Sequence, residues 1–452
     1  MELTPTTLSV GQSQTLTYRK KIGLLDQLAA VTTASEEAQK VIDYESAHNE
    51  EILTAIEIVE EFLHQTGRVC YGGAAMNAQL PDRYKFYDPK YTIPDYDFLT
   101  PTADKDLAIL ERRFRAAGFT EIGIRPGMHA GTTKVYINFV PVADVTLIDI
   151  KLYNMFKKHA VKVNKITYMD ANSLRMMMYL ELSRPRGEVA RWSKVYERLL
   201  LLDFAVPMKR CKGDPKPQTI PLMIYRSILY YAIQNNRVLA GASIVSGYKA
   251  ALKGELKAEW FFKQSEPLIF YSSNLDADEA NIRELAGAEV KTTVVDGVGD
   301  YVPTLRYLTY LGKPIALLVK ESACHSYNTL PLKNGKYVLI ASLDTLITLY
   351  LSIMISGNKK LKGFFPFPIL CMAQQAVNLS NYMRRHPSRS QFPFISITCS
   401  GNQKGLPSLL REKVARIQAA KRKGAKPKEH TVSSSKTQKS TKRQLRRTLK
   451  KD

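Results

Sequence analysis

Two aspartates one residue apart, Asp95 and Asp97 in the run Ile93-Pro-Asp-Tyr-Asp-Phe98, are the residues of this 452-residue chain best placed to do chemistry. On a strand, positions i and i+2 share a face. The two carboxylates therefore stand together, with Tyr96 and Phe98 turned the other way. Held roughly 7 Å apart along the strand, they repel one another and require a cation. Hard carboxylate oxygens suit Mg²⁺ or Mn²⁺. A third carboxylate on a neighbouring strand would complete a pair of ion sites about 3.5–4 Å apart. Asp144, in Val142-Ala-Asp-Val-Thr146, is the candidate, and Asp149 is its rival. The two are five positions apart and face opposite ways if the strand continues, so one of them joins the cluster; Asp144 lies inside the alternating run. Taken alone, an Asp-x-Asp pair also marks ordinary solvated strand edges.

A second feature precedes the aspartates. A short strand over Arg68 to Tyr71 feeds Gly72-Gly73, and Ala74 to Gln79 reads as a helical turn. Glycine pairs often only make a turn. Between a strand and a helix they do more, because the missing side chains let phosphates approach the backbone and the helix start favours negative charge.

The elements that must position these residues follow from periodicity. Glu36 to Gln65 reads as helix, with Ile52, Leu53, Ile56, Val59 and Leu63 at three- and four-residue spacing and Gly67 as the stop. Strands are expected at Ile93 to Leu99, Thr133 to Val140 and Val142 to Ile148, and a helix at Ala103 to Ala117. Two helices follow near Ala171 to Ser183, with Asp170 as N-cap, and Gly187 to Phe204. The second half alternates again: helix near Pro221 to Gln234, strand at Pro267 to Tyr271, helix at Asp276 to Ala286. Strands come next at Val290 to Val295 and Pro314 to Val319, and then a helix at Leu343 to Ile355. An echo links Ile166-Thr-Tyr-Met-Asp170 and its apolar helix to Ile340-Ala-Ser-Leu-Asp344 and its own; duplication and chance both account for it. The expected class is α/β, an α+β mixed sheet. Its domains are a flexible arm (1–35), a catalytic domain with an N-terminal helix (36–207), a linker (208–218), a second domain (219–408) and a basic disordered tail (409–452).

Composition bounds the reading. With 45% hydrophobic and 24% charged residues the chain is a folded protein and not a disordered one. No run of 18 apolar residues marks a membrane span, and Met1 to Lys20 lacks a signal peptide's apolar stretch. The five cysteines are few, scattered and without a C-x-x-C, so a reducing compartment, no disulfide framework and no cysteine zinc site are expected. The net charge is +23; the tail from Leu409 carries 16 Lys/Arg against 3 Asp/Glu, and the body remains basic at +10 without it. A polyanionic partner is the simple reading, and solubility is the other.

Lys151, Lys157, Lys158, Lys162 and Lys165 either hold phosphates or form an exposed basic face. Tyr84, Phe86 and Tyr87 beside Arg83 and Lys85 stack bases or pack a loop. Met176 to Met178 reads as core and Cys324-His325 as structural. His129 and His159 have no triad partners in view. Asn172 and Arg175 share a helix face and are candidates for contacting adenine.

The strand, Gly-Gly, Asp-x-Asp and later strand Asp resemble the nucleotidyltransferase superfamily of DNA polymerase beta type. More closely, Tyr71-Gly-Gly-Ala-Ala-Met-Asn77, Phe86-Tyr-Asp-Pro89, Ile93-Pro-Asp-Tyr-Asp-Phe98, Glu181-Leu-Ser-Arg-Pro185 with Arg191-Trp192, and Cys324-His-Ser-Tyr-Asn328 resemble the poly(A) polymerase catalytic subunits of large nucleocytoplasmic DNA viruses. The likeness runs from about Gln65 to Arg198, and more thinly to about Ile355. It implies that Asp95, Asp97 and Asp144 form a catalytic, metal-binding triad for Mg²⁺ or Mn²⁺, and that Gly72 and Gly73 cradle ATP. One ion would activate the RNA 3′-hydroxyl and the other would stabilise the leaving pyrophosphate; Asp144 is the candidate to help take the hydroxyl proton. Many superfamily members have Ser after the first Gly, where this chain has Gly73, which leaves only backbone donors. The likeness further implies a second, degenerate nucleotidyltransferase-like domain, which fits the lack of a Gly-Gly plus Asp-x-Asp set in the second half. Template-independent addition of AMP to RNA 3′ ends is the implied activity. A transferase of other nucleotide specificity and an inactive RNA-binding subunit are the alternatives. A homodimer or a processivity subunit is the further partner to look for, no membrane is involved, and the virion and host cytoplasm are the expected location.

Overall fold

The computed structural model describes residues 23–211 and 220–422, apart from 255, 263–265, 333–334, 362–363 and 366. Helix α1 (Leu24–Ala47) leads into α2 (Glu50–Thr66). The break falls where the Asn49 side chain accepts from the Ile52 N–H and starts a new helix. The helix expected from Glu36 thus begins at Leu24 and is two helices, so residues 24–35 are not a loose arm. Helix α2 buries Ile52, Ala55, Ile56, Val59, Phe62 and Leu63 and stops at Gly67 in the left-handed conformation.

The first lobe continues with β1 (Val69–Cys70), α3 (Gly72–Gln79), β2 (Tyr96–Thr100), α4 (Ala103–Ala116), β3 (Ile122–Pro126), β4 (Thr132–Ile137) and β5 (Val140–Leu147). Then come α5 (Ile150–His159), β6 (Val161–Val163), β7 (Ile166–Tyr168), α6 (Ala171–Leu182) and α7 (Trp192–Ala205). Asp170 caps α6, its carboxylate accepting from the Asn172 and Ser173 N–H groups. The strands form one mixed sheet in the order β3-β4-β5-β2-β1-β7-β6.

The second lobe runs α8 (Leu222–Gln234), β8 (Leu239–Ala240), α9 (Ala242–Ala251), β9 (Leu268–Ser272), α10 (Leu275–Ala286), β10 (Val290–Val295), β11 (Leu305–Tyr310) and β12 (Lys313–Lys320). It continues with β13 (His325–Pro331), β14 (Tyr337–Ala341), α11 (Leu343–Ser356), α12 (Ile369–Arg385), β15 (Cys399–Ser400) and α13 (Leu406–Arg422). Its sheet order is β10-β11-β12-β9-β8-β14-β13-β15. Up to the added β15, this is the first sheet's order with every strand number raised by seven. The directions match as well. β1 is antiparallel to β2 and parallel to β7, as β8 is to β9 and β14. β5 is parallel to β2 and antiparallel to β4, as β12 is to β9 and β11. The second lobe therefore repeats the topology of the first. The echo between Ile166–Asp170 and Ile340–Asp344 falls on corresponding strands and helices. The cap differs, however: Ser342 accepts from the Thr345 N–H, while Asp344 sits buried in the first turn against Arg384.

The corresponding helices α6 and α11 pack against each other and join the lobes. Around them Asn381 donates to Asp203 at 2.9 Å, the Ser326 N–H donates to the Ser183 carbonyl at 2.9 Å, and Arg384 lies over Tyr196. Four cysteines correct the expectation of reduced thiols. Cys211–Cys371 and Cys324–Cys399 are disulfides with Cα atoms 5.2 Å apart in each, and Cys70 is free and buried. Separations of 160 and 75 residues leave no local spacing from which the pairing follows. Gln374 of α12 accepts from the Cys211 N–H and donates to the Met208 and Lys209 carbonyls, which ties the start of the expected linker to the second lobe. The tail expected to be disordered from Leu409 is helical to Arg422. Its half-buried face carries Leu409, Lys413, Arg416 and Ile417, and Arg416 donates to the Met128 carbonyl at 3.2 Å. Charge density hid that helical spacing from a compositional reading. The remainder of the arm, linker and tail lies outside the described residues. Among the described residues no helix is long and apolar enough to cross a membrane.

Candidate active site

Parallel pairing of β2 with β5 places Asp97 directly beside Asp144. Paired residues on adjacent strands share a face, so both carboxylates stand on one side of the sheet. Asp95 lies just ahead of β2, two residues before Asp97. On the opposite face Tyr96 and Phe98 are buried, and the Tyr96 hydroxyl donates to Glu60 at 2.6 Å. Asp149 is elsewhere: it caps α5, accepting from the Lys151 N–H at 2.7 Å. Of the two rivals, Asp144 is the one beside Asp97.

The charges feel one another. Burial pushes the Asp97 carboxyl up to about 7, and the negative charges of Asp95 and Asp144 add to that; Lys134 and Arg191 act the other way. Asp95, exposed to solvent ahead of β2, is raised by partial desolvation among its neighbours and by Asp144, against Lys134. Antiparallel pairing of β4 with β5 puts Lys134 opposite Asp144, with Nζ 2.5 Å from Oδ2. Burial would lower the Lys134 ammonium, but the bond to Asp144 and the charges of Asp144 and Asp95 leave it raised. The other oxygen, Asp144 Oδ1, is buried without a hydrogen-bond partner. Among the described residues no three ligand-type side chains are closed to coordination distance.

Gly72 and Gly73 start α3 beside this group. The Tyr71 N–H donates to the Asp97 carbonyl at 2.8 Å, which brings the helix start against β2. Gly72 has φ +70°, and a Cβ there would overlap Asp97 Oδ2. A Cβ on Gly73 would overlap the Tyr87 hydroxyl. Tyr87 is held from both ends. The Asn77 side-chain Oδ1 accepts from the Phe86 and Tyr87 N–H groups at 2.9 and 3.1 Å, and Arg198 donates to the Tyr87 hydroxyl at 2.9 Å. The guanidinium also lies 4.8 Å from the Phe86 ring centre. The sequence runs Tyr71–Asn77 and Phe86–Pro89 are thus two sides of one contact. The hydroxyl beside Gly73 comes from Tyr87. Among the described residues Arg198 has no carboxylate partner, so its charge stays uncompensated at the helix start. Sequence reading missed both Lys134 and Arg198. The first depends on strand register, and the second lies more than a hundred residues downstream of the glycines.

Other candidates have structural partners. Arg175 is buried and donates to Asp203, Asn172 and the Leu202 and Val206 carbonyls, so its donors face protein and not a base. Tyr84 packs edge-on against Phe204, as a packed loop requires. The five lysines from Lys151 to Lys165 are all exposed. His129 pairs with Glu188 at 2.8 Å, and buried His325 is pushed down to about 3 by desolvation and by Arg184.

The second lobe shows what became of the same positions. Cys70 pairs with Phe98 as Ala240 pairs with Ile269, so Asp97 corresponds to Leu268 and Asp95 to Glu266. Leu268 pairs with Ala316 where Asp97 pairs with Asp144. Two carboxylates have become apolar. The third, Glu266, is buried and accepts from the Ala242 N–H at 3.0 Å and from the Ser243 N–H, at the start of α9. This helix start already holds an anion of the chain's own.

Residues 57–188, which contain all five candidate positions, match the family described as Poly(A) polymerase catalytic subunit. A provisionally named poly(A) polymerase catalytic subunit of Acanthamoeba polyphaga mimivirus is 25% identical over 203 residues, 43% of this chain and 34% of that protein. One from African swine fever virus (strain Badajoz 1971 Vero-adapted) is 26% identical over 178 residues, 38% of each chain. These matches thus span well under half the length of either relative. The crystal structure of the Megavirus polyadenylate synthase matches the whole of this chain and 91% of its own, with TM-score 0.67 and 16% identity, a likeness of fold.

Proposed function

We propose that this protein is a polynucleotide adenylyltransferase that adds AMP from ATP to RNA 3′ ends without a template. The observation that carries the reading is the pairing of Asp97 with Asp144, with Asp95 two residues ahead, beside the Gly72-Gly73 helix start. The donor set fits a divalent ion. It offers hard oxygens, an orphaned buried oxygen at Asp144 Oδ1, and a carboxyl at Asp97 raised by burial and by the charges of Asp95 and Asp144. Asp95, Asp97 and Asp144 would hold the ions. Bound there, Mg²⁺ or Mn²⁺ would supply activation of the RNA 3′-hydroxyl and charge stabilisation on the pyrophosphate.

The chain's own groups do the rest. The N–H groups at the start of α3 would receive the triphosphate, and the absence of Cβ atoms there makes room for the Asp97 carboxylate and the Tyr87 hydroxyl beside them. Arg198 places a delocalised cation at the same end, matched to phosphate oxygens. Tyr71 fixes the helix start against the Asp97 strand, and its hydroxyl meets Thr146 at 3.0 Å. No protein nucleophile is required. A homodimer or processivity subunit, and a place in the virion and host cytoplasm, belong to the same proposal.

An RNA primer incubated with Mg²⁺ or Mn²⁺ and each nucleoside triphosphate separately tests it; ATP should extend the primer best. Removing a carboxylate that holds the ions costs several kcal/mol in the transition state, so Asp95→Ala should lower incorporation by about 100-fold or more with RNA binding largely intact. Near-normal extension by that variant rejects the site. RNA binding without incorporation of any nucleotide by the unaltered protein identifies an RNA-binding subunit instead.

A further inference from the structure

Lys134 is a charged side chain that neither the family motifs nor the reaction above uses. It reaches Asp144 from β4, on the side of β5 away from β2. Its Nζ lies 2.5 Å from Asp144 Oδ2, and its charge is felt at Asp95 and Asp97 as well. Arg191, the other cation acting on Asp97, is already tied to Glu188 at 3.2 Å and Glu181 at 3.6 Å. The Lys134 side chain is about one-third exposed (36%), whereas that of Asp144 is 11% exposed. A flexible four-carbon stem with an open side can withdraw; a carboxylate fixed in a central strand cannot.

The geometry points to Lys134 as the resident counter-ion of the triad, an ammonium that stands in for a divalent cation and must give way when one enters. This inference rests on the reading of Asp95, Asp97 and Asp144 as ion-holding residues. It deepens that reading by making ion entry an exchange: one positive charge leaves Asp144 Oδ2 as two arrive. Two consequences follow that an ordinary surface lysine would not have. Without Lys134 the ion-free protein is left with three adjacent carboxylates and no contacting cation, so it loses stability. The same loss removes the competitor, so a divalent ion binds more tightly and restores what was lost.

The test is Mn²⁺ binding to the full chain, followed by the paramagnetic signal of free Mn²⁺ and in parallel by thermal melts in EDTA and at saturating Mn²⁺. For Lys134→Met the dissociation constant should fall about tenfold, the repulsion expected between a single and a double positive charge about 6 Å apart near water's dielectric. Its melting temperature should lie below that of the unaltered protein in EDTA, and the gap should close with Mn²⁺. Lys134→Arg keeps the cation and should keep the original affinity. Lys134→Gln, which retains a hydrogen-bond donor, should shift affinity the same way as Met and serves if Met does not fold. Unchanged or weaker Mn²⁺ binding by the neutral variants, with binding by the unaltered protein intact and abolished by Asp97→Asn, overturns the exchange and leaves the ion site standing. No saturable binding by the unaltered protein, or binding that Asp97→Asn leaves untouched, overturns the ion site and the exchange with it.

Discussion

At the scale of single residues, Asp97 carries the clearest measurable consequence. Its carboxyl titrates near 7 in the folded protein against an ordinary value near 4. Between those values the folded chain binds a proton that the unfolded chain has released. Stability is therefore present in full below about pH 4 and declines as pH rises through 7. In EDTA, Asp97→Asn should flatten that decline and melt higher than the unaltered protein at pH 8, by about 2 kcal/mol after allowance for partial exposure. The two should coincide near pH 4, and a variant no more stable at pH 8 contradicts the assignment. Arg198→Ala should raise KM for ATP about tenfold while changing RNA binding little, since one charge-assisted contact is worth about 1.5 kcal/mol. An unchanged KM removes Arg198 from the triphosphate contact. The closeness of Asp95 and Asp97 was legible because i,i+2 alternation is a local property of strands; Asp144 was reached from its place in an alternating run and from the family likeness. Lys134 was not, because its partner is chosen by the β4–β5 register, which the bulge beyond Val135 resets.

At the scale of elements, α3 and α9 are the instructive pair. Both follow a two-residue strand and both begin beside a strand end, but only α9 begins on a carboxylate of the chain. Glu266→Ala leaves the Ala242 and Ser243 N–H groups without that acceptor, at a cost of about 1–3 kcal/mol. A thermal melt should show the loss, and ATP titration should still give one site per chain; a second site would mean that Glu266 alone kept the second lobe from binding. Sequence periodicity found the long amphipathic helices and the strands with regular alternation. It missed β8, since a two-residue strand has no period to display, and it also left out β3, β11, β13 and β14, which run to five, six, seven and five residues. Helix α12 also went unseen, although Met372, Ala376, Leu379 and Met383 recur on its buried face at three- and four-residue spacing.

At the scale of the whole molecule, the repeat of one sheet topology explains why the lobes meet as they do. Helices α6 and α11 follow corresponding strands and face each other, with Tyr179, Asp203, Asn381, Arg384 and Asp344 gathered around their contact. Sequence showed only the echo at residues 166 and 340, since the positions most distinctive in the first lobe are the ones the second has replaced. The cysteine pairing was likewise beyond reach of spacing. Titration of thiols in denaturant should find one free group, Cys70, without reductant and five with it; five in both conditions would rule out the two bridges. The carboxylate at the start of α9 has a last consequence. Placing aspartates at positions 268 and 316 would crowd negative charge into a buried pair of positions whose neighbouring anion berth is taken, with Leu308 and no ammonium opposite residue 316. The second lobe thus has no berth for a triphosphate at this helix start, and through α11 it serves as masonry for the first.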